Sequence, residues 1–178
     1  MKKLHLGCGP NHLEDWENLD LPEIDITRPL PYADDSVDFV FTEHVIEHVT
    51  PQQGWKFFAE ARRVLKVGGV LRLAFPDPVR ICRHYNKRYL EEFNPWTNRP
   101  PTIEGSLASI IEDWGHVAIW TVGAVLVCLS ARGFAANEVC LGESNYPELV
   151  GLERHGAIIN QVEAMYIQTS VVEGVKIA

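Results

Sequence analysis

The chain has 178 residues, enough for one domain of ordinary size and too few for two well-cored ones. Hydrophobic residues make up 46% and charged residues 22%, a balance that excludes disorder and describes a packed core. Sixteen Lys and Arg against twenty-four Asp and Glu leave a net charge of −8, which repels phosphate backbones and disfavours nucleic acid as a partner.

Lys3 to Leu6 reads as a short strand running into the turn Gly7-Cys8-Gly9-Pro10-Asn11. Trp16 to Leu21 gives a second strand ending on Asp20, and Ile24-Asp25-Ile26 a third, weaker one closed by Arg28-Pro29-Leu30-Pro31. Val37 to Thr42 is a firmer strand, bounded by Asp34-Asp35-Ser36. After it Thr50 caps a helix, with Pro51 in the first turn and Gln53 at the capping-box position. Trp55, Phe58, Ala61, Val64 and Leu65 then recur at helical spacing, and Gly68-Gly69 supplies the stop. Val70 to Phe75 restarts a strand that Pro76-Asp77-Pro78 ends, so that Val37 to Phe75 forms a right-handed strand-helix-strand unit.

Val79 to Pro101 is less regular and locally basic: Arg80, Arg83, Lys87, Arg88 and Arg99 outnumber Glu91 and Glu92, with Tyr85, Tyr89 and Trp96 interleaved. The longest apolar stretch, Val117 to Leu129, falls well short of the about 20 residues that span a bilayer. It predicts a core helix from about Thr121 to Ala131, stopped at Gly133. Ala136 to Leu141 and Met165 to Val172 read as strands of an antiparallel edge, separated by an irregular surface segment from Gly142 to Gln161. The whole predicts an α/β fold, a mostly parallel sheet between helix layers with an antiparallel C-terminal edge. Cys8, Cys82, Cys128 and Cys140 form no CxxC pair, and the N-terminus lacks the apolar run of a signal peptide; reduced thiols and a cytoplasmic location are expected.

The first turn carries the chemistry. Glycines after a strand remove Cβ atoms and let a ligand approach exposed backbone amides, and the carboxyl end of a first parallel strand is where nucleotide-like cofactors bind. His12 stands where a dinucleotide fingerprint needs its third glycine, and no Gly-Lys-Ser/Thr follows, so NAD, FAD and ATP are disfavoured. Asp20 is placed to accept from ribose hydroxyls, Asp25 and Ile26 to offer a carboxylate and an apolar face to a purine, and Thr42-Glu43-His44 ends the next strand on the same edge.

Taken in order, Leu4-His5-Leu6-Gly7-Cys8-Gly9, Asn18-Leu19-Asp20-Leu21, Asp25-Ile26, the run from Leu30 to Val40, Glu47-His48-Val49 and the run from Arg63 to Leu71 resemble the pattern of class I S-adenosylmethionine (SAM) dependent methyltransferases. The resemblance covers roughly the first 77 residues. It implies a three-layer αβα, Rossmann-like fold, with SAM as cofactor and one domain over residues 1–178, in which 1–77 bind the cofactor and 78–178 build the acceptor side. It further implies that Gly7, Cys8 and Gly9, with Asn11, face the methionine part of SAM, Asp20 and Leu21 the ribose, Asp25 and Ile26 the adenine, and Thr42 and Glu43 the floor beside the sulfonium. The sequence departs from the family in two places: His5 replaces the common acidic residue before the loop, and only ten residues separate Gly9 from Asp20, too few for the usual first helix.

His44-Val45-Ile46-Glu47-His48 also matches the H-x-x-E-H signature of inverted zinc peptidases. No third ligand is identifiable from spacing, so no metal is assigned and a zinc hydrolase using His44, Glu47 and His48 stands as an alternative, as does a non-catalytic binding module of methyltransferase fold. His44 and His116 are the candidates for orienting the acceptor or taking its proton, His116 at the start of the core helix. The acceptor is expected to be a small or glycan-type molecule, anionic if the basic stretch faces it, with Arg80 and Arg83 as its first contacts.

Overall fold

Alternation along the strands sets the frame of the molecule. Leu4 and Leu6 on β1 (Lys3–Leu6) join Val40 on β3 (Val37–Glu43) and Leu71, Leu73 and Phe75 on β4 (Leu65–Pro76) in one apolar cluster; Phe39, Phe41, Val70 and Ala74 turn to another. This computed structural model describes residues 1–93, 99–158 and 162–178, without the side chains of residues 88, 92, 93 and 163. Trp96 therefore lies outside the described residues, as do the last three residues of the segment from Gly142 to Gln161.

With β2 (Glu17–Leu19), β5 (Phe134–Val139) and β6 (Thr169–Lys176), the strands form one sheet in the order β2-β1-β3-β4-β6-β5. The first four pair parallel, and β6 runs antiparallel between β4 and β5. The expected mixed sheet with an antiparallel C-terminal edge is the observed one. β2 and β5 are observed at Glu17–Leu19 and Phe134–Val139 where Trp16–Leu21 and Ala136–Leu141 are expected, and three differences are larger. Ile24 to Ile26 lies in turns, and the two isoleucines are buried in the first cluster from a loop; apolar residues two apart suit an inward-facing turn as well as a strand. The helix ends at Val64 and β4 begins at Leu65, because the left-handed Gly68 and the shift of register between Val37 and Phe39 are absorbed in the strand's first residues. Met165 belongs to a helix, and the last strand begins at Thr169.

The helix α1 (Pro51–Val64) carries the full capping box: Thr50 Oγ1 accepts from Gln53 N, and Gln53 Oε1 accepts from Thr50 N. Phe57, Phe58, Ala61 and Val64 bury its inner face, whereas Trp55 is exposed and stacks with Arg132, whose guanidinium is 4.3 Å from the ring centre. The chain continues through α2 (Pro78–His84), α3 (Lys87–Phe93), α4 (Ile103–Glu112) and α5 (Val122–Ser130). Thr121 caps α5, so the core helix starts later than the apolar stretch and Val117 to Thr121 remains outside it. Two short helices, α6 (His155–Ile158) and α7 (Val162–Gln168), precede β6. Ile81, Tyr89, Ile110, Met165 and Ile167 from α2, α3, α4 and α7 make a separate small core.

No helix forms between Gly7 and Trp16. Leu13 and Trp16 from that short connection, with Tyr146, Leu149 and Leu152 from the late irregular segment, cover the second face of the sheet at Phe39 and Phe41. A buried ionic cluster anchors this segment: Arg72, fully buried on β4, donates to Glu153, to its cross-strand partner Glu173 and to the carbonyl of Glu143. Among the described residues no helix is long and apolar enough to cross a membrane.

Candidate active site

A cavity of about 540 Å³ opens at the carboxyl ends of β1, β2 and β3. The chain passes from β1 to β2 on one side and then returns to β3 on the other side of β1, the switch point at which α/β sheets bind ligands. Its wall includes Gly7, Cys8, Gly9, Asn11, Asp20, Leu21, Asp25, Ile26, Glu43 and His44. Gly7 has φ +70°, and a Cβ there would stand 2.4 Å from Val45 Cγ2, so the loop can pass Val45, just beyond β3, only as glycine. At Gly9, with φ +46°, a Cβ would meet nothing within 4 Å, which leaves that side of the loop open.

The loop amides are used within the protein. Gly7 N and Cys8 N donate to Leu19 O at 2.8 and 3.3 Å, and Gly9 N donates to Asp20 Oδ2 at 2.9 Å, contrary to the expected exposed donors. Their effect is to orient Asp20, whose Oδ1 also accepts from Leu21 N at 2.8 Å. Asp25 accepts from both the amide and the hydroxyl of Thr27, and these bonds hold its carboxyl below its ordinary value. His5 is buried against Phe41, and burial pushes its pKa down to about 4, so a neutral ring stands where the family pattern has an acid.

Glu43 is half-buried and ties three elements together. It accepts from Asn11 Nδ2 at 3.3 Å, Arg154 N at 3.1 Å and His155 N at 3.0 Å, and Asn11 also donates to Leu152 O. Burial raises the Glu43 pKa, and the two amides oppose that rise. The segment at residues 152–158 is thereby drawn over the site, where His155 and Ile158 join the wall. This corrects the expectation of a plain surface segment.

Beyond Glu43 the chain enters a cluster of histidines. His44, at φ +54°, stacks on His155 with ring centres 4.4 Å apart; its Nε2 is 3.1 Å from Thr169 Oγ1 and its Nδ1 3.3 Å from Glu47 Oε1. Both nitrogens thus face protein partners. His116 is half-buried behind Glu47, away from the cavity wall; its Nδ1 lies 2.6 Å from Ile110 O and its Nε2 4.0 Å from Glu47 Oε1. It sits in the loop after the left-handed Trp114 and Gly115, six residues before α5, and not at the helix start. Burial opposes the charge of Glu47, yet the facing His44 ring outweighs it and holds the carboxyl below its ordinary value. The exposed ring on the cavity wall is that of His48. Thr42 is fully buried under the site and does not line it.

Residues 4–73 match the family model described as a methyltransferase domain. The structure aligns with a SAM-dependent methyltransferase from Archaeoglobus fulgidus at a TM-score of 0.56 and 14% identity, over 98% of this chain and 86% of that one. YcgJ from Bacillus subtilis aligns at 0.54 and 15%, over 99% and 92% of the two chains. A SAM-dependent methyltransferase from Thermotoga maritima, described as a possible histamine N-methyltransferase, aligns at 0.53 and 15%, over 98% and 82%. No curated protein sequence matches the chain.

Residues 4–73 thus carry the pattern of a methyltransferase domain, and the chain as a whole has the fold of SAM-dependent methyltransferases. SAM is the cofactor of that family. In this methyltransferase fold the matched residues end with β4, and what lies beyond them supplies β5, β6 and the segment closed over the cavity. Arg80 and Arg83 stand off the cavity wall, Arg80 donating to Tyr166 O and lying 5.6 Å over its ring. His155, Ile158 and His48 are wall residues absent from the expected cofactor set; the first two carry no local motif, and their place is set by the bonds of Glu43 to the residues before them.

Proposed function

We propose that this chain is a SAM-dependent methyltransferase whose cofactor occupies the cavity at the ends of β1, β2 and β3. The reading rests above all on one observation: Gly7, Gly9, Asp20, Asp25, Ile26 and Glu43, far apart in sequence, line the same cavity. The residues fit the group. The open side of Gly9 leaves room for the methionine part, Asp20 retains free lone pairs for ribose hydroxyls beyond its two amide bonds, and Ile24 and Ile26 offer apolar surface beside the Asp25 carboxylate for a purine. The described wall holds Asp20, Asp25 and Glu43 and no Lys or Arg, a charge balance that favours a cation.

When bound, SAM supplies an electrophilic methyl group on a sulfonium. The chain's own part is positional: Glu43 holds residues 152–155 over the cavity, excluding water, and the ring of His48 lies where an acceptor would enter. With Arg80 and Arg83 off the wall, it suits an uncharged small or glycan-type acceptor better than an anionic one. The free cysteines suit a cytoplasmic location.

Calorimetric titration with SAM tests the reading. Asp20→Ala is expected to weaken binding at least tenfold, in line with the about 1.5–3 kcal/mol of a hydrogen bond to a charged group, while Arg80→Ala leaves it unchanged. Absence of binding to the wild-type chain at millimolar SAM would overturn it.

A further inference from the structure

Glu47 presents a problem that the cofactor does not solve. Its side chain is 2% exposed, Oε2 has no hydrogen-bond partner among the described residues, and Oε1 meets only the His44 ring, at 3.3 Å and outside good hydrogen-bond geometry. An ionised carboxylate buried in this way costs several kcal/mol unless a cation compensates it. Among the described residues no Lys or Arg pairs with it; the groups around it are imidazoles.

Those imidazoles are arranged as ligands. One donor atom from each of Glu47, His48 and His116 lies within 4.8 Å of the other two. His116 Nδ1 is held by Ile110 O at 2.6 Å, which places the ring proton on Nδ1 and leaves the Nε2 lone pair directed toward Glu47. A backbone carbonyl behind the ligating ring is the usual outer support of a metal-bound histidine. Metal bonds of about 2.0–2.2 Å bring such donors to roughly 3 Å from one another, a contraction within reach of side-chain rotation at the exposed His48. Trp114 and Gly115, both left-handed, turn the chain so that His116 reaches Glu47, and at Trp114 that conformation is backbone strain of the kind retained at functional sites.

We propose that Glu47, His48 and His116 hold a divalent first-row transition-metal ion, with its open coordination position turned to the cavity for an oxygen donor of the methyl acceptor. Two imidazoles and one carboxylate select zinc, manganese, iron or cobalt over magnesium or calcium, and three protein ligands leave room for an exogenous one. His48 belongs to the cavity wall and to the ligand set, so the ion stands at the junction of the two. The set differs from the H-x-x-E-H reading: His116, unreachable by sequence spacing, is a ligand, and His44 flanks Glu47. A hydroxyl-bearing acceptor is the class this site would take, since a hard oxygen suits the vacant position and the ion polarises it. That last step rests on the methyltransferase reading; the metal site itself does not.

The test titrates chelator-treated protein with Co²⁺ and Zn²⁺, followed by calorimetry and by the visible spectrum of Co²⁺. One ion per chain is expected, with affinity at least tenfold lower in Glu47→Gln, His48→Gln and His116→Gln and unchanged in His84→Gln, an exposed position on α2. His48→Gln alters an exposed ring and carries the test if the buried substitutions fail to fold. Absence of stoichiometric binding, or binding indifferent to all three substitutions, overturns the site. Asp20→Ala should lose SAM and keep the ion: SAM binding without any ion overturns this inference alone, whereas ion binding without SAM supports the site and overturns the cofactor reading.

Discussion

Gly7 and Gly9 stand two residues apart in one loop and answer to different constraints. At Gly7 both the left-handed φ and the 2.4 Å approach to Val45 forbid a side chain, whereas at Gly9 only the φ of +46° does. Gly9→Ala should cost about 1–2 kcal/mol, the penalty of a left-handed residue, and Gly7→Ala clearly more because the branched Val45 side chain must also move to make room; urea denaturation of the two variants measures the difference. His5 makes a second prediction at this scale. Its ordinary pKa of 6.5 falls to about 4 in the folded chain, so between these values the unfolded chain binds the extra proton. Its contribution is complete above about pH 6.5 and declines as pH falls toward 4, by an amount on the order of 3 kcal/mol. His5→Gln should flatten the loss of stability over that window, and a melting temperature that falls as steeply in the variant would contradict the assignment.

Among the elements, α1 and β3 were the most legible because their signals are local: a capping box and a proline at one helix end, a short run rich in Val and Phe preceded by acids at the strand. The strand-helix-strand unit, the Gly-rich turn and Asp20 followed directly. The segment from Gly142 onward gave no such signal, since what fixes it is distant. Glu153 meets Arg72 on β4, and the amides of Arg154 and His155 meet Glu43 on β3. Arg72 is the test of that anchorage. Arg72→Met would leave Glu153 and Glu173 buried without a cation and is expected to destabilise the fold by about 3–5 kcal/mol. Adding Glu153→Gln and Glu173→Gln should recover a large part of the loss in urea denaturation, whereas no recovery would show that Arg72 acts through packing alone. His116 was obscure for the same reason: a position close to Glu47 arises from two left-handed residues in a loop, which no periodicity announces.

For the molecule as a whole, the short first connection has a visible consequence. The family's first helix has no room, and the sheet face it would cover is closed by Leu13, Trp16 and the late segment that also reaches the cavity. The cavity wall and the segment around Leu152 are therefore physically joined through Glu43 and Asn11. Asp20, Asp25 and Glu43 stand on a wall without described Lys or Arg, and Arg80 and Arg83 of the basic stretch lie off it. The central claim is that this wall binds SAM with its methyl end toward the histidines. A crystal structure of the chain with S-adenosylhomocysteine tests it most directly. The adenosine is expected against Asp20 and Ile26, the amino-acid part along Gly7 to Gly9 and the sulfur toward His44 and His48; a ligand bound outside this cavity, or in it with the adenosine at the histidines, would contradict the account.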